Sequence, residues 1–166
     1  TVKSFRAQMS KAQLEATPEA EIKRQEVMHE LIHTERQYVD GLAFIVQGLL
    51  QPSRDKELLT RETLATVFLN VEALYGLHQQ LVRDLEELQR KAPSPPLVEG
   101  IGPVLLKWAP QMKLYASYCS NHQAIAESLE AVRRTNKRFV AFLDEALQRE
   151  EARGQTLAAL QMTPVQ

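Results

Sequence analysis

Several features that define other classes of protein are scarce or absent in this sequence of 166 residues. Cys119 is the only cysteine, which excludes an internal disulfide and favours a reducing compartment such as the cytoplasm. The formal net charge is −1 and the pI is about 6.4, so no strongly basic surface for nucleic acid is expected. No apolar run approaches the roughly 20 residues that a membrane-spanning helix needs.

The sequence also lacks a sustained alternation of polar and apolar residues, which is the pattern of a half-buried strand. Apolar residues instead recur at helical spacing, first from a start at Thr17-Pro18-Glu19 to about Leu50, where Pro52 is expected to end the helix. Further helices are predicted over residues 60–88 and 97–108 and from residue 110 onward. The sequence therefore predicts an all-α fold, an elongated multi-helix bundle.

The first predicted helix carries two neighbouring lines of mainly apolar residues, because an α-helix turns about 100° per residue. One line is expected to face the core and consists of Val27, Leu31, Thr34, Tyr38, Ile45 and Leu49. The second line runs beside it and consists of Met28, Ile32, Glu35, Val39 and Leu42. The opposite side suits a solvated face and carries His29, His33, Arg36 and Asp40.

A short signature of zinc proteases occurs within this helix, at His29-Glu30-Leu31-Ile32-His33. A catalytic zinc site also needs a third protein ligand. The extended form of the motif fails here, since Arg36 and Val39 occupy the positions of its glycine and its third histidine. We therefore interpret the two histidines as exposed residues on a long helix, and we expect neither a metal nor a cofactor.

Glu35 lies on an apolar flank of the helix, where a carboxylate that is buried alone is costly. Two interpretations follow from the residues. The carboxylate forms a salt bridge to a neighbouring helix, or it lies at the edge of a surface that a partner protein covers. Helical spacing by itself favours the salt bridge.

Four segments of the chain share their order and spacing with the motifs of one family. The first is Glu30-Leu31 with Thr34-Glu35 and Tyr38. The other three are Phe68-Leu-Asn-Val-Glu-Ala-Leu-Tyr75 with His78, Tyr115-Ala-Ser-Tyr118-Cys119-Ser-Asn121, and Leu157-Ala-Ala-Leu160-Gln-Met162-Thr-Pro164-Val165-Gln166. From about residue 20 onward the chain thus resembles the Dbl homology domain of Rho-family guanine-nucleotide exchange factors.

The resemblance implies an exchange factor that binds a Rho-family small GTPase, of the Rho, Rac or Cdc42 type, and promotes GDP release without covalent chemistry. Glu35 would contact the first switch loop of the GTPase. Gln166 would face the second switch loop, and Met162 lies on the same helix. Three residues would support the helix beneath Glu35, namely Leu31, Thr34 and Tyr38.

The resemblance also implies a domain organisation, with an N-terminal flank or linker over residues 1–16 and the exchange domain over residues 17–166. The family pattern continues beyond Gln166 into a long final helix, so the domain is expected to be incomplete at its C-terminus. The protein is expected to be cytoplasmic and to act on the actin cytoskeleton, with recruitment to the plasma membrane through domains outside this chain. The alternative interpretation is a helical scaffold that binds proteins without exchanging nucleotide.

Overall fold

Helices joined by short connections make up the computed structural model of the chain, which describes residues 5–148. The α-helices are α1 Lys11–Ala16, α2 Glu19–Ala43, α3 Gln51–Asp55, α4 Arg61–Phe68, α5 Val71–Arg90, α6 Ile101–Trp108, α7 Leu114–Ser120, α8 His122–Thr135 and α9 Lys137–Leu147. A π-helical turn covers Phe44–Leu50, and 3-10 turns cover Phe5–Gln8 and Ala109–Lys113. The prediction of an all-α fold is confirmed, since residues 5–148 hold no strand beyond one isolated bridge. No helix in this range is long and apolar enough to cross a membrane.

Side chains cap several helix starts by accepting hydrogen bonds from N–H groups that have no partner within the helix. Ser10 Oγ accepts from the N–H of Gln13 at 3.2 Å, and Gln13 Oε1 accepts from the N–H of Ser10 at 2.9 Å. This reciprocal pair caps α1. Thr60 caps α4 through a bond of 3.2 Å to the N–H three residues on. Asn136 caps α9 through a bond of 2.9 Å to the N–H of Phe139.

Two predicted helix boundaries are wrong. Pro52 does not end the first helical stretch, because the chain continues through the π-helical turn and Pro52 lies in the first turn of α3, where its missing N–H is tolerated. The helix predicted over residues 60–88 is interrupted at Leu69, which adopts φ 44° and ψ −120° between α4 and α5. A leucine at positive φ is strained, and the spacing of apolar residues gives no sign of such a break.

The core-facing line predicted for the first helix is confirmed at Ile45 and Leu49, which are buried, but not at its start on α2. Met28 and Ile32 are buried, whereas Val27 is 64% exposed and Thr34 lies at the surface. The prediction that Val27 and Thr34 face the core is therefore wrong. The two lines are neighbours on the helix, and periodicity alone does not define which of them turns inward. Glu35 consequently belongs to the more buried line.

The described residues form two compact units, of which the second comprises residues 38–77 and 111–148. Its largest fully buried side chains are Phe139, Leu42, Leu49, Leu74, Ile125 and Leu143. They come from the end of α2, the π-helical turn, α5, α8 and α9, so segments distant in sequence share one apolar cluster. Full burial of each such side chain contributes about 1.5–3 kcal/mol.

The first unit comprises residues 5–37 and 78–110. Its N-terminal residues pack on the start of α2 through an apolar cluster of Phe5, Met9 and Ile22. Arg6 extends this contact, because its guanidinium donates a hydrogen bond of 3.0 Å to Glu26 Oε1. Residues 5–9 therefore pack on α2 within this unit, and Gln13 of α1 bonds to Ser94 and Pro95.

The connection between α5 and α6 explains a third difference from the predicted boundaries. The helix predicted from residue 97 begins only at Ile101, after Gly100 at φ 77°. The backbone of Val98 lies outside the helices and bonds instead to the side chain of Gln25. The N–H of Val98 donates to Gln25 Oε1, and the carbonyl of Val98 accepts from Gln25 Nε2, each at 2.8 Å. Gln25 is fully buried, so these bonds anchor the connection to α2.

Candidate functional site

The carboxylate of Glu35 is paired with a residue from another helix. Its Oε1 accepts a hydrogen bond from Nδ1 of His78 on α5. The Glu35 side chain is 15% exposed and that of His78 is 6% exposed, so the contact is largely shielded from water. Of the two interpretations that the sequence leaves open, the contact with a neighbouring helix is therefore present. It stabilises the carboxylate while a part of the side chain stays accessible to solvent.

In the sequence, His78 stands out only as a part of the family motif, and the structure reveals its role. It lies on α5, where Leu81, Val82 and Leu85 are also buried. An imidazole at such a position needs a polar partner, because its nitrogen atoms are otherwise desolvated without compensation. Because the carboxylate of Glu35 is the acceptor, Nδ1 carries the proton. The signal in the sequence is a histidine within an apolar stripe, but the stripe does not identify its partner.

The residues around Glu35 on α2 form a small mixed surface. Val27 is 64% exposed, Leu31 is half-buried and Thr34 is exposed. The hydroxyl of Thr34 donates within its own helix, to the carbonyl oxygens of Glu30 at 3.0 Å and Leu31 at 3.1 Å. We name this set, Val27, Leu31, Thr34 and Glu35, the α2 surface. It presents two apolar side chains and a carboxylate along one side of α2, which suits a protein partner better than a small polar ligand.

Tyr38 belongs to the second unit and contacts the third family segment. Its hydroxyl oxygen lies 2.6 Å from that of Tyr115 on α7, so the two phenols share a hydrogen bond. One turn further along α7, Tyr118 is buried, and this burial raises the pKa of its phenol to about 12. The two tyrosines thus act in packing α7, and Tyr38 joins the end of α2 to it.

The predicted solvated face of α2 is wrong for His29, which is half-buried, whereas the side chain of Arg36 is 41% exposed. The ring of His29 donates from Nε2 to the carbonyl of Pro96 at 2.8 Å, and its Nδ1 lies 3.3 Å from the side-chain amide of Gln89. Arg36 donates to Glu86 Oε1 and to Gln89 Oε1, each at 2.7 Å. Both ring nitrogens of His29 are thus used within the protein. Within residues 5–148 no group of three or more histidine, cysteine, aspartate or glutamate residues is arranged to hold a metal ion.

The structure places the predicted GTPase-contacting and supporting residues in three groups. Leu31, Thr34 and Glu35 lie together on α2 in the first unit. Tyr38 lies on the same helix and belongs to the second unit. Met162 and Gln166 lie outside the described residues.

Comparison with known families identifies the domain. A model described as the RhoGEF domain matches residues 27–166, which is most of the chain and includes the α2 surface. The chain belongs to the RhoGEF domain family. The resemblance to the Dbl homology domain, based on the four sequence segments, is thereby confirmed.

Relatives of this RhoGEF domain are larger proteins. It is 32% identical over 145 residues to the myosin-M heavy chain of Dictyostelium discoideum, with 86% of this chain and 8% of the relative covered. It is 30% identical over 128 residues to Rho guanine nucleotide exchange factor 3 of Homo sapiens, with 77% of this chain and 24% of the relative covered. The chain therefore spans a quarter or less of the length of these two relatives.

Solved structures show the same fold. The DH/PH domains of p115-RhoGEF superpose with a TM-score of 0.86 at 28% identity, covering 98% of this chain and 45% of that chain. The DH/PH domains of PDZ-RhoGEF, solved in complex with GTP-γ-S-activated RhoA, superpose with a TM-score of 0.84 at 24% identity. This second likeness covers 95% of this chain and 45% of that chain, and it concerns the fold.

Proposed function

We propose that this RhoGEF domain is a guanine-nucleotide exchange factor for a Rho-family small GTPase. The observation that carries the proposal is the placement of Glu35, which lies within the matched region as a partly accessible carboxylate on the same side of α2 as the exposed Val27 and the half-buried Leu31. Its relative in Homo sapiens is named Rho guanine nucleotide exchange factor 3. The domain regulates a GTPase by binding, and the proposal requires no covalent step.

In the proposed mechanism, exchange is a problem of differential binding. The factor must bind the GTPase more tightly without nucleotide than with it, because only that difference promotes GDP release. The switch loops are the bistable element, since phosphate and Mg²⁺ hold them in one arrangement. Glu35 accepts a hydrogen bond from the first switch loop and so holds that loop away from the nucleotide. The half-buried Leu31 lies one turn before Glu35 on α2 and excludes water beside this contact, which strengthens it.

The finer parts of the proposal concern the remainder of the domain and its setting. Residues 17–166 form the exchange domain, and Met162 and Gln166 contact the second switch loop. The GTPase is of the Rho, Rac or Cdc42 type, and PDZ-RhoGEF, a protein of the same fold, has been solved with RhoA. The protein acts in the cytoplasm and at the plasma membrane, a setting that suits a free and exposed Cys119.

The test is the release of fluorescent GDP from a panel of Rho, Rac and Cdc42 GTPases, catalysed by the full-length protein. Glu35→Ala should slow the accelerated release by about 30- to 1,000-fold, because loss of one charged hydrogen bond at a desolvated interface costs about 2–4 kcal/mol. Glu72→Ala is the matched control, since Glu72 is a helical glutamate that pairs with Arg54 on the second unit. It should leave the rate unchanged.

Two results would contradict the proposal. An equal rate for wild type and Glu35→Ala would remove Glu35 from the mechanism. No acceleration of any GTPase by a folded, helical protein would favour the alternative of a scaffold that binds partners without exchanging nucleotide.

A further inference from the structure

The contact between Glu35 and His78 has a consequence for the proposed site. A glutamate side chain on a helix rotates about three bonds, and ordering it when a partner binds costs conformational entropy. The carboxylate is held by the domain itself, because Nδ1 of His78 donates to its Oε1. A group that is ordered in advance binds more tightly than one that must be ordered during binding.

The donor is itself held in place. His78 is buried on α5, and Leu81, Val82 and Leu85 of the same helix are buried with it. A ring that is packed in this way has few orientations available, since protein interiors are filled at crystal-like density. The position of Nδ1 is therefore set by the packing of α5, and it determines where the carboxylate of Glu35 lies.

The two carboxylate oxygens of Glu35 are used differently. Oε1 accepts the hydrogen bond from His78. Within residues 5–148 no hydrogen bond to Oε2 is present, and the side chain keeps 15% of its surface accessible. A carboxylate has acceptor sites on both oxygens, so it can hold one donor from the protein and a second from a partner at the same time.

We infer that His78 is a positioning residue for nucleotide exchange, whose Nδ1–H holds one oxygen of Glu35 so that the other oxygen meets a donor of the GTPase. The inference rests on the proposed exchange function and extends it to a residue that does not touch the GTPase. It explains why a polar ring occupies a buried position of α5, where an apolar residue would pack without a partner.

Three substitutions of His78 separate positioning from packing. His78→Leu keeps an apolar side chain in the space and removes the donor. His78→Asn places an amide N–H near the position of Nδ1, whereas His78→Gln places the same amide one bond further from the backbone. We expect His78→Leu and His78→Gln to slow accelerated GDP release by about 10- to 100-fold, as misplacing a reacting group by about 1 Å does. We expect His78→Asn to retain most of the wild-type rate.

The comparison of Asn with Gln carries the test even where His78→Leu folds poorly, because the two amides share their chemistry and differ in donor position. Thermal unfolding of each variant by circular dichroism measures packing separately from exchange. If His78 only filled space, exchange rates would follow the unfolding temperatures, and Asn would give no more rescue than Gln. Either finding would overturn the inference, as would a rate that rises when the donor is removed.

A double-mutant cycle gives the second readout. In a Glu35→Ala background, His78→Leu should cause no further loss of exchange, because a positioning residue acts only through the group that it positions. Equal losses with and without Glu35 would assign His78 a role independent of Glu35. Failure of the proposed function is a different result, because the wild-type protein would then accelerate GDP release from no GTPase. An active wild type, an inactive Glu35→Ala variant and a fully active His78→Leu variant would refute the positioning role and leave the exchange function intact.

Discussion

Gln25 allows the strength of a buried anchor to be predicted from the structure. Its side-chain amide is fully buried and satisfies both backbone groups of Val98, which is itself buried. Gln25→Met keeps the length and nearly the volume of the side chain and removes its hydrogen-bonding groups. Two buried backbone groups then lose their partners, at a cost of about 1–3 kcal/mol each. The free energy of unfolding should therefore fall by about 2–6 kcal/mol, a large part of the 5–15 kcal/mol that is typical of a whole protein.

Urea denaturation of the full-length protein, followed by circular dichroism, measures this loss. With a slope of about 2 kcal/mol per molar urea, the midpoint should move down by about 1–3 M. Gln13→Met is the matched control, since the amide of Gln13 donates to Pro95 O at 2.8 Å and to Ser94 Oγ at 3.2 Å in the same connection. These bonds, and the bond that Gln13 Oε1 accepts from the N–H of Ser10, are exposed, so water replaces them and the loss should be about 1 kcal/mol or less. Equal losses for the two variants would refute the reasoning that burial sets the cost.

Two further predictions concern acid stability and a helix cap. Hydrogen bonding, chiefly from Arg24, lowers the pKa of Glu21 from 4.5 to about 2. A lowered pKa stabilises the fold above pH 4.5, and this stabilisation is lost as the pH falls toward 2. Glu21→Gln should therefore flatten the decline of the free energy of unfolding in this range, measured by urea titrations at each pH. An unchanged slope would contradict this prediction. Asn136 donates to the carbonyl of Leu58 at 2.7 Å and caps Phe139 N–H, so Asn136→Ala should lower the free energy of unfolding by about 2–4 kcal/mol, again measured in urea. Asn136→Asp keeps the capping acceptor and should cost less than Asn136→Ala.

Features of this protein that depend on residues close to each other in the sequence could be predicted from the sequence. The start of α2 at Glu19 follows from Thr17-Pro18, because a proline favours the first turn of a helix. The all-α class follows from apolar spacing over long stretches, and the family follows from motifs that keep their order. The break at Leu69 was not accessible in this way, since a strained backbone at one residue is imposed by the packing around it.

The candidate functional site also combines features that the sequence predicts with features that only the fold reveals. The residues of α2 alone identify Glu35 as an unusual carboxylate on an apolar flank and as a member of a family motif. The folded chain shows in addition that the line carrying Glu35 turns inward and that its partner is His78, 43 residues further along the chain. The spacing of residues along one helix defines its faces relative to each other. It contains no information on the rotation of the helix about its axis or on the helix that packs opposite, because both are set by the packing of the whole core.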